Sequence, residues 1–223
     1  MACVHMYRDE PDAVVLYADS GSALPHVREF VIDTAKSLDM RLHISTPPMS
    51  CEDWQDANGL PSDILAVNAT PLMSGVVKES YPAKVVPYPA CCGANIWEPV
   101  ARGVQEIGAD TVIRGSKACD EKVGVPDGFV ENGITYLSPL WTWEDADVFE
   151  YLEKSEIALP PQYASGCDSL DCWCCTAYMD HHGASRFAFM KDNYPELYVA
   201  ARDRLLLVRD TVAHASQNVS YEV

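Results

Sequence analysis

The stretch AVVLYADSGSALPHVREFVIDTAKSL, residues 13–38, decides the fold class. Ala13 to Ala18 is an unbroken apolar run of strand length. Asp19-Ser20-Gly21 stops it with three turn-forming residues, and beyond Pro25 the apolar residues Val27, Val31, Ala35 and Leu38 recur at helical spacing. Strand, turn and amphipathic helix in that order make a βα unit, and the rest of the chain repeats the alternation.

Upstream, Met1 to Arg8 reads as a short helix stub ended by the Asp9-Glu10-Pro11-Asp12 run. Downstream, Arg41 to Ser45 alternates like a second strand, Thr46 to Pro61 is a proline-rich acidic connection, and Ile64 to Ala69 is a further short apolar run. Pro71 to Pro89 reads mainly as loop. Trp97, Val100, Val104 and Ile107 are spaced for a helix with Pro99 in its first turn and Gly108 at its end. Thr111 to Ile113 is a buried strand, Gly124 to Gly133 is turn-rich, and Ile134 to Leu137 is strand-like. Thr142 with Asp145 predicts a cap for a helix carrying Val148, Phe149 and Leu152. From Pro195, Leu197, Ala201, Leu205, Val208 and Val212 mark a long amphipathic helix followed by a polar tail over 215–223. This helix is read as packing on its own domain, with a face for a homo-oligomer as the alternative. The alternation predicts an α/β fold, a mostly parallel sheet with helices on both faces, in a single domain spanning 1–223. Ligands of such sheets bind beyond the carboxyl ends of the strands, where Asp19-Ser20-Gly21 and Arg114-Gly115-Ser116 fall.

Composition narrows the function classes. A chain of 223 residues with 48% hydrophobic and 22% charged residues is ordinary for a folded globular protein. Its 16 Lys+Arg against 33 Asp+Glu leave a net charge of -17, which repels a polyanion and argues against direct nucleic-acid binding. A small anionic nucleotide is compatible with it, since a few local donors suffice. No run is long and apolar enough to span a bilayer and no signal peptide opens the chain, so a soluble cytoplasmic protein is expected, with no membrane partner. In a reducing compartment, nine cysteines point to metal or redox chemistry rather than disulfides.

Seven of those cysteines lie between Cys91 and Cys175. The sharpest pattern is the adjacent pair Cys91-Cys92 with Cys172-Trp173-Cys174-Cys175 downstream. Two doublets supply four thiolates, which suits a 4Fe-4S cluster or a structural zinc ion; the vicinal pair favours the cluster, because zinc sites usually take C-x-x-C knuckles on both sides. Buried unliganded cysteines are the third reading, and Cys174 and Cys167 are substitute ligands. Trp141, Trp143 and Trp173 are expected to pack the core near the cysteines. Arg114, Lys117 and Lys122 are candidates for phosphate or sulfonate contacts, with a solvated basic face as the alternative. Asp19-Ser20-Gly21 is equally a plain turn, and His181-His182 reads as exposed rather than metal-binding.

The vicinal cysteines, the helix with Pro99, the Gly-bearing strand end, the Pro139 to Leu152 segment and Cys172-x-x-Cys175-Thr176 together resemble the cluster-bearing branch of the phosphoadenosine phosphosulfate (PAPS) and adenylylsulfate reductase family, from about Val14 to about Arg209. Asp19-Ser20-Gly21 resembles the family's Asp-Thr-Gly, and Gly115 with Lys117 its Gly-x-Arg. The resemblance implies an adenine nucleotide alpha-hydrolase-like fold. It also implies a site for PAPS, adenylylsulfate or ATP made of Tyr17, Asp19, Ser20, Gly21, Arg114, Gly115 and Lys117. A 4Fe-4S cluster on Cys91, Cys92, Cys172 and Cys175, with zinc as the alternative, and a thiol reductant protein as partner complete the set.

Three departures qualify what it implies. The family's phosphate loop, of the Ser-Gly-Gly-Lys-Asp-Ser type, does not occur, so the first strand and that loop are expected to be missing, with a late start as the favoured reading and weakened nucleotide binding as the alternative. Its Arg-Lys pair after the vicinal cysteines reads Asn95-Ile96, and no cysteine follows Cys175 to attack the sulfonate. Cys174, Cys119 or a partner's thiol are the substitutes. Beside an enzyme of the reductase or ATP pyrophosphatase type stand two rivals, a non-catalytic metal-stabilised accessory module and a sulfurtransferase of the DNA phosphorothioation type.

Overall fold

The computed structural model describes residues 1–120, 127–167, 172–179 and 183–217. Lys122 and His181-His182 lie outside the described residues. The chain forms two compact units. The first is built from 1–17, 29–45 and 100–160, the second from 18–28, 46–99 and the described residues from 161 onward.

In the first unit, β1 (Val14–Ala18) pairs with β2 (Arg41–Ser45), and a three-stranded sheet has the order β5 (Thr111–Ile113), β7 (Ile134–Leu137), β6 (Phe129–Glu131). β5 and β7 are parallel with Thr111 opposite Thr135, whereas β6 and β7 are antiparallel. β6 falls within a stretch read as turns. Its strand forms because Asn132 and Gly133, both at positive φ, close a tight hairpin onto β7. The helix α1 (Ala2–Met6) packs with α7 (Asp145–Lys154), burying Ala2, Leu140 and Leu152 among Met1, Trp143, Val148 and Ile157. Trp143 therefore belongs to this core and not to one shared with the cysteines. The cap of α7 also differs from the expected one. Glu144 is the N-cap and Asp147 closes the capping box, two positions beyond Thr142 and Asp145, because the chain is still turning at Trp141 and Thr142. Helix α6 (Glu98–Ile107) continues a π-helical turn at Gly93–Trp97. A Cβ built on Gly103 would come within 2.5 Å of Leu16 Cδ1 and 3.2 Å of Ser45 Cβ, so the helix lies on the strands through the missing side chain.

In the second unit, β3 (Leu60–Ser62) and β4 (Val85–Pro87) are parallel with Leu60 opposite Val85. The short apolar run over Ile64 to Ala69 is a loop and a short 3-10 turn at Val67–Ala69, with Ile64 and Val67 exposed. Pairing with β4 selects the three residues before it, which bury completely. The connection read as irregular contains a helix, α3 (Cys51–Asn58), started by Ser50 as N-cap and Glu52 and Asp53 in its first turn. It ends at Gly59, whose φ of +125 and 3.1 Å clearance from Lys84 O at the Cβ position exclude a side chain. The stretch read as loop holds α4 (Pro71–Ser74), β4 and the start of α5 (Tyr88–Cys92). At the end, α8 (Gly183–Asn193) and α9 (Pro195–Gln217) contact each other, and α9 also meets β3. The expected α/β class holds, with its strands paired in three short sheets among the described residues. No helix there is long and apolar enough to cross a membrane.

Candidate metal centre and nucleotide loops

The loop from Asp19 to Ser22 in the second unit is a dock for two cysteine-bearing segments. Asp19 is nearly buried; its carboxylate accepts from Gly21 N–H and from Arg28 Nε, each at 3.0 Å. Gly21 takes φ +70, and a Cβ there would sit 3.2 Å from Ser50 Cα. The Ser20 carbonyl accepts from Cys51 N–H at 2.8 Å, Ser22 Oγ from Glu52 N–H at 3.0 Å, and Ser50 Oγ from Asp53 N–H at 3.1 Å. Three of the four unpaired amides that open α3 are satisfied this way. The Ser22 carbonyl then accepts from Trp173 N–H at 2.9 Å, and the Cys172 thiol donates to Ser20 Oγ at 3.1 Å.

What this docking brings together is a set of buried thiols. Cys51 Sγ lies 3.6 Å from Cys91 Sγ, and the Cys51 thiol also hydrogen-bonds with Cys172 and Cys174. Gln55, one turn further along α3, points its amide Nε2 at three sulfurs: 3.5 Å from Cys51, 3.8 Å from Cys91 and 3.4 Å from Cys174. Arg204 of α9 fixes that orientation by donating to Gln55 Oε1 at 3.4 Å, and is itself held by Asp56 at 2.7 Å and Glu52 at 3.3 Å. Asn95 donates from Nδ2 to the Cys91 carbonyl at 2.9 Å and to its sulfur at 3.7 Å, while its buried Oδ1 has no hydrogen-bond partner. Leu24, Val27, Trp173, Phe189 and Met190 close the apolar surroundings.

These contacts bias the two thiols in opposite directions. Hydrogen bonds with Cys172, then Cys174 and Cys91, together with burial, push the Cys51 thiol far above an ordinary thiol. The Cys51 hydrogen bond, aided by the Gln55 and Asn95 amides, holds the Cys91 thiol below it despite burial.

Of the four ligands predicted, Cys91 and Cys172 join this set. Cys175 directs its sulfur to the Ala177 carbonyl at 3.7 Å, while its own carbonyl accepts from buried Arg186 at 2.9 Å; Cys92 is half-buried beside Cys91. Cys174 joins in, and Cys167 is buried in the same core. Cys51 is a member that motif reading missed; its one sequence signal is the Ser50 to Asp53 cap that makes it the first residue of a helix. Among the described residues no three His, Cys, Asp or Glu side chains have the arrangement of an ion's ligands. Amide N–H groups are aimed at these sulfurs, but the set does not have the spacing of an ion's ligands.

The remaining predicted nucleotide residues belong to the first unit. Tyr17 is half-buried on β1. After β5, Arg114 N–H donates to the Leu137 carbonyl and Ala118 N–H to that of Trp141, which fixes the loop. The Arg114 guanidinium lies 5.5 Å from the Phe129 ring and 5.8 Å from Tyr136, and donates to Ser138 Oγ at 3.3 Å. A side chain at Gly115 would meet open space. Lys117, with its side chain 12% exposed, binds Asp120 at 2.8 Å and Asp145 at 3.1 Å. Burial works against its charge, yet the two carboxylates hold Lys117 above the ordinary lysine value.

Residues 1–178 match the family profile described as the phosphoadenosine phosphosulfate reductase domain. The chain belongs to this family. It is 23% identical over 167 residues to a phosphoadenosine 5'-phosphosulfate reductase of Cronobacter sakazakii, covering 74% of this chain and 61% of that protein. It is 24% identical over 169 residues to the reductase of Yersinia pseudotuberculosis, with the same coverage. The chain thus spans less than two thirds of the curated relatives it matches. In three dimensions it is similar to a PAPS reductase from Candida auris solved as a phosphate complex, with a TM-score of 0.54, 20% identity, and coverage of 77% of this chain and 75% of that one.

Proposed function

We propose that this chain is the nucleotide-handling part of a sulfonucleotide reductase, taking PAPS or adenylylsulfate and drawing electrons from a thiol reductant protein. Membership of the reductase family over residues 1–178 carries this reading. In such a reaction a thiolate attacks the sulfonate sulfur, the S–O bond to the nucleotide phosphate breaks, and a second thiol then displaces sulfite to leave a disulfide. Of the thiols considered for the attack, Cys174 is fully buried whereas Cys119 is exposed on the Arg114 to Asp120 loop, so Cys119 and the reductant's own thiol are the sources consistent with access. The proposed cofactor is an iron-sulfur cluster on thiolates of the second unit, with zinc as the alternative. Held by Cys91, Cys92, Cys172 and Cys175, it would tie α5 and the 172–175 segment together.

A second reading, the non-catalytic metal-stabilised module, is favoured by one observation: the anion contacts expected of Asp19 to Gly21 and Lys117 are engaged within the protein. One experiment separates them. Calorimetric titration with adenosine 3',5'-bisphosphate, followed by sulfite release from PAPS with thioredoxin as reductant, gives binding and turnover for the reductase. Absence of both sinks it and leaves the module. The ATP pyrophosphatase and phosphorothioation alternatives predict binding of ATP instead.

A further inference from the structure

The thiol of Cys51 is used by neither the proposed reaction nor the nucleotide loops, yet it sits among the buried thiols of the second unit. Cys51 opens α3, one turn before Gln55, and is 2% exposed; Cys91, on α5, is 4% exposed and lies in the same apolar core. The two helices pack against each other, and the sulfurs, 40 residues apart in the chain, are 3.6 Å apart in space. A disulfide bond is about 2.0 Å long, so a small side-chain rotation that closes about 1.6 Å brings this pair to bonding distance. The other thiols beside Cys51 are placed differently. Cys172 donates to Ser20 Oγ at 3.1 Å, and both it and Cys174 belong to an irregular segment rather than to a helix packed on α3. Amide donors flank the Cys51 and Cys91 sulfurs. Gln55 Nε2 lies 3.5 Å from the first and 3.8 Å from the second, and Asn95 Nδ2 lies 3.7 Å from Cys91. A sulfur that attacks an oxidant carries negative charge, and donors already aimed at it lower the energy of that state.

We propose that Cys51 and Cys91 are a redox modification site, two thiols that close into an intrachain disulfide on exposure to a peroxide and reopen on reduction by a dithiol. With hydrogen peroxide, one thiol takes up an oxygen atom to become a sulfenic acid, and water is released. The other thiol attacks that sulfur, the S–O bond breaks, a second water leaves and the S–S bond forms. In all, two thiol hydrogens and two electrons pass to the peroxide. A groove of about 380 Å³ lined by Gln55, Asp56, Lys84, Asp203 and Arg204 leads a small oxidant to the amide that lies on both sulfurs. The new bond ties the first turn of α3 to α5 and withdraws the Cys91 sulfur from any other use. For the thiolates assigned above to a cofactor that means one fewer; this consequence alone rests on that reading, and the disulfide itself does not.

The full wild-type chain is purified without oxygen, reduced, desalted and treated with equimolar hydrogen peroxide. It is then quenched with N-ethylmaleimide in urea, digested, and analysed by peptide mass spectrometry without reduction. The expected product is a peptide pair joining Cys51 to Cys91, two hydrogens lighter than the sum of its parts, which dithiothreitol abolishes. Maleimide labelling is lost at both cysteines together and returns with the reductant. Cys51→Ser removes the pair and leaves Cys91 open to the maleimide. The wild-type readout stands whether or not that variant folds. A pair joining Cys51 to Cys172 or Cys174 in its place overturns the proposal, as do sulfinic acid at either residue without the pair and full labelling of both cysteines after peroxide. Calorimetry with adenosine 3',5'-bisphosphate on the reduced chain tests the reductase reading separately. Nucleotide binding without the disulfide leaves that reading standing and this inference fallen, and the disulfide without nucleotide binding does the reverse.

Discussion

The thiol of Cys172 donates to Ser20 Oγ at 3.1 Å, joining residues 152 positions apart in the chain. Through this bond and the carbonyls of Ser20 and Ser22, a loop that reads as a nucleotide contact serves to fasten the cysteine segment and the start of α3. Ser20→Ala removes the acceptor of both Cys172 and Ser22 N–H, and is expected to lower stability by about 0.5–1.5 kcal/mol in urea unfolding. It should also speed reaction of Cys172 with an alkylating reagent, read by peptide mass spectrometry. An unchanged midpoint and unchanged Cys172 labelling would show the loop does not fasten this segment.

His26 links two residues of the second unit's core. Gln162 Oε1, which only accepts, lies 2.6 Å from Nε2, so that nitrogen carries the hydrogen and Nδ1 accepts from the Tyr194 hydroxyl at 2.8 Å. Tyr194→Phe leaves Nδ1 without this donor while keeping the ring packed on Phe189. A loss of about 1–3 kcal/mol is expected in chemical denaturation, and an unchanged midpoint would show that the bond contributes nothing.

Gly103 is a steric requirement rather than a conformational one, since it lies within α6. The distance of 2.5 Å from its Cβ position to Leu16 Cδ1 means that Gly103→Val must push the helix or rotate the leucine against Ser45. About 1–3 kcal/mol of destabilisation is expected by thermal unfolding. If Leu16→Ala in the same background recovers nothing, the contact is not the cause.

The pairing of Lys117 with Asp120 gives a pH dependence of known sign. Burial works toward a raised value for the Asp120 carboxyl, but the Lys117 ammonium and backbone amide outweigh it and hold Asp120 below its ordinary value. Its contribution to stability is present above the unfolded carboxylate value and is lost as pH falls through the folded one. Lys117 is raised, so its share persists below the ordinary lysine value and is lost only as pH rises through the higher folded one. Because Asp120 is about half exposed, with a side chain 47% accessible, the effect is held below about 1 kcal/mol. Asp120→Asn should flatten the acid limb of the stability curve below the carboxylate range and leave the neutral plateau slightly lower.

Much of the fold could be read locally. Val14–Ala18, Arg41–Ser45, Thr111–Ile113 and Ile134–Leu137 are strands where apolar runs bounded by turn residues predict them, and the helices from Pro25 and Pro195 begin at their prolines. These segments fix their own state because periodicity and punctuation act within a few residues. The short elements were hidden for the opposite reason. β3 and β4 are three residues each and exist by pairing with one another, and β6 exists by folding back on β7. The helix α3 lay within a connection rich in proline and acid, and its cap was the sole local sign.

The sequence by itself determined the family, the α/β class and the presence of enough thiols for a metal centre, since these follow from residue identity and spacing along the chain. Which thiols meet was decided only in three dimensions. Cys51 is 40 residues from Cys91 in sequence, and their sulfurs come to 3.6 Å because the Asp19 to Ser22 loop caps one helix and holds the 172–175 segment at once. Proximity in space depends on long-range hydrogen bonds and packing that no spacing rule encodes, and it set Cys91, Cys172 and Cys174 around Cys51.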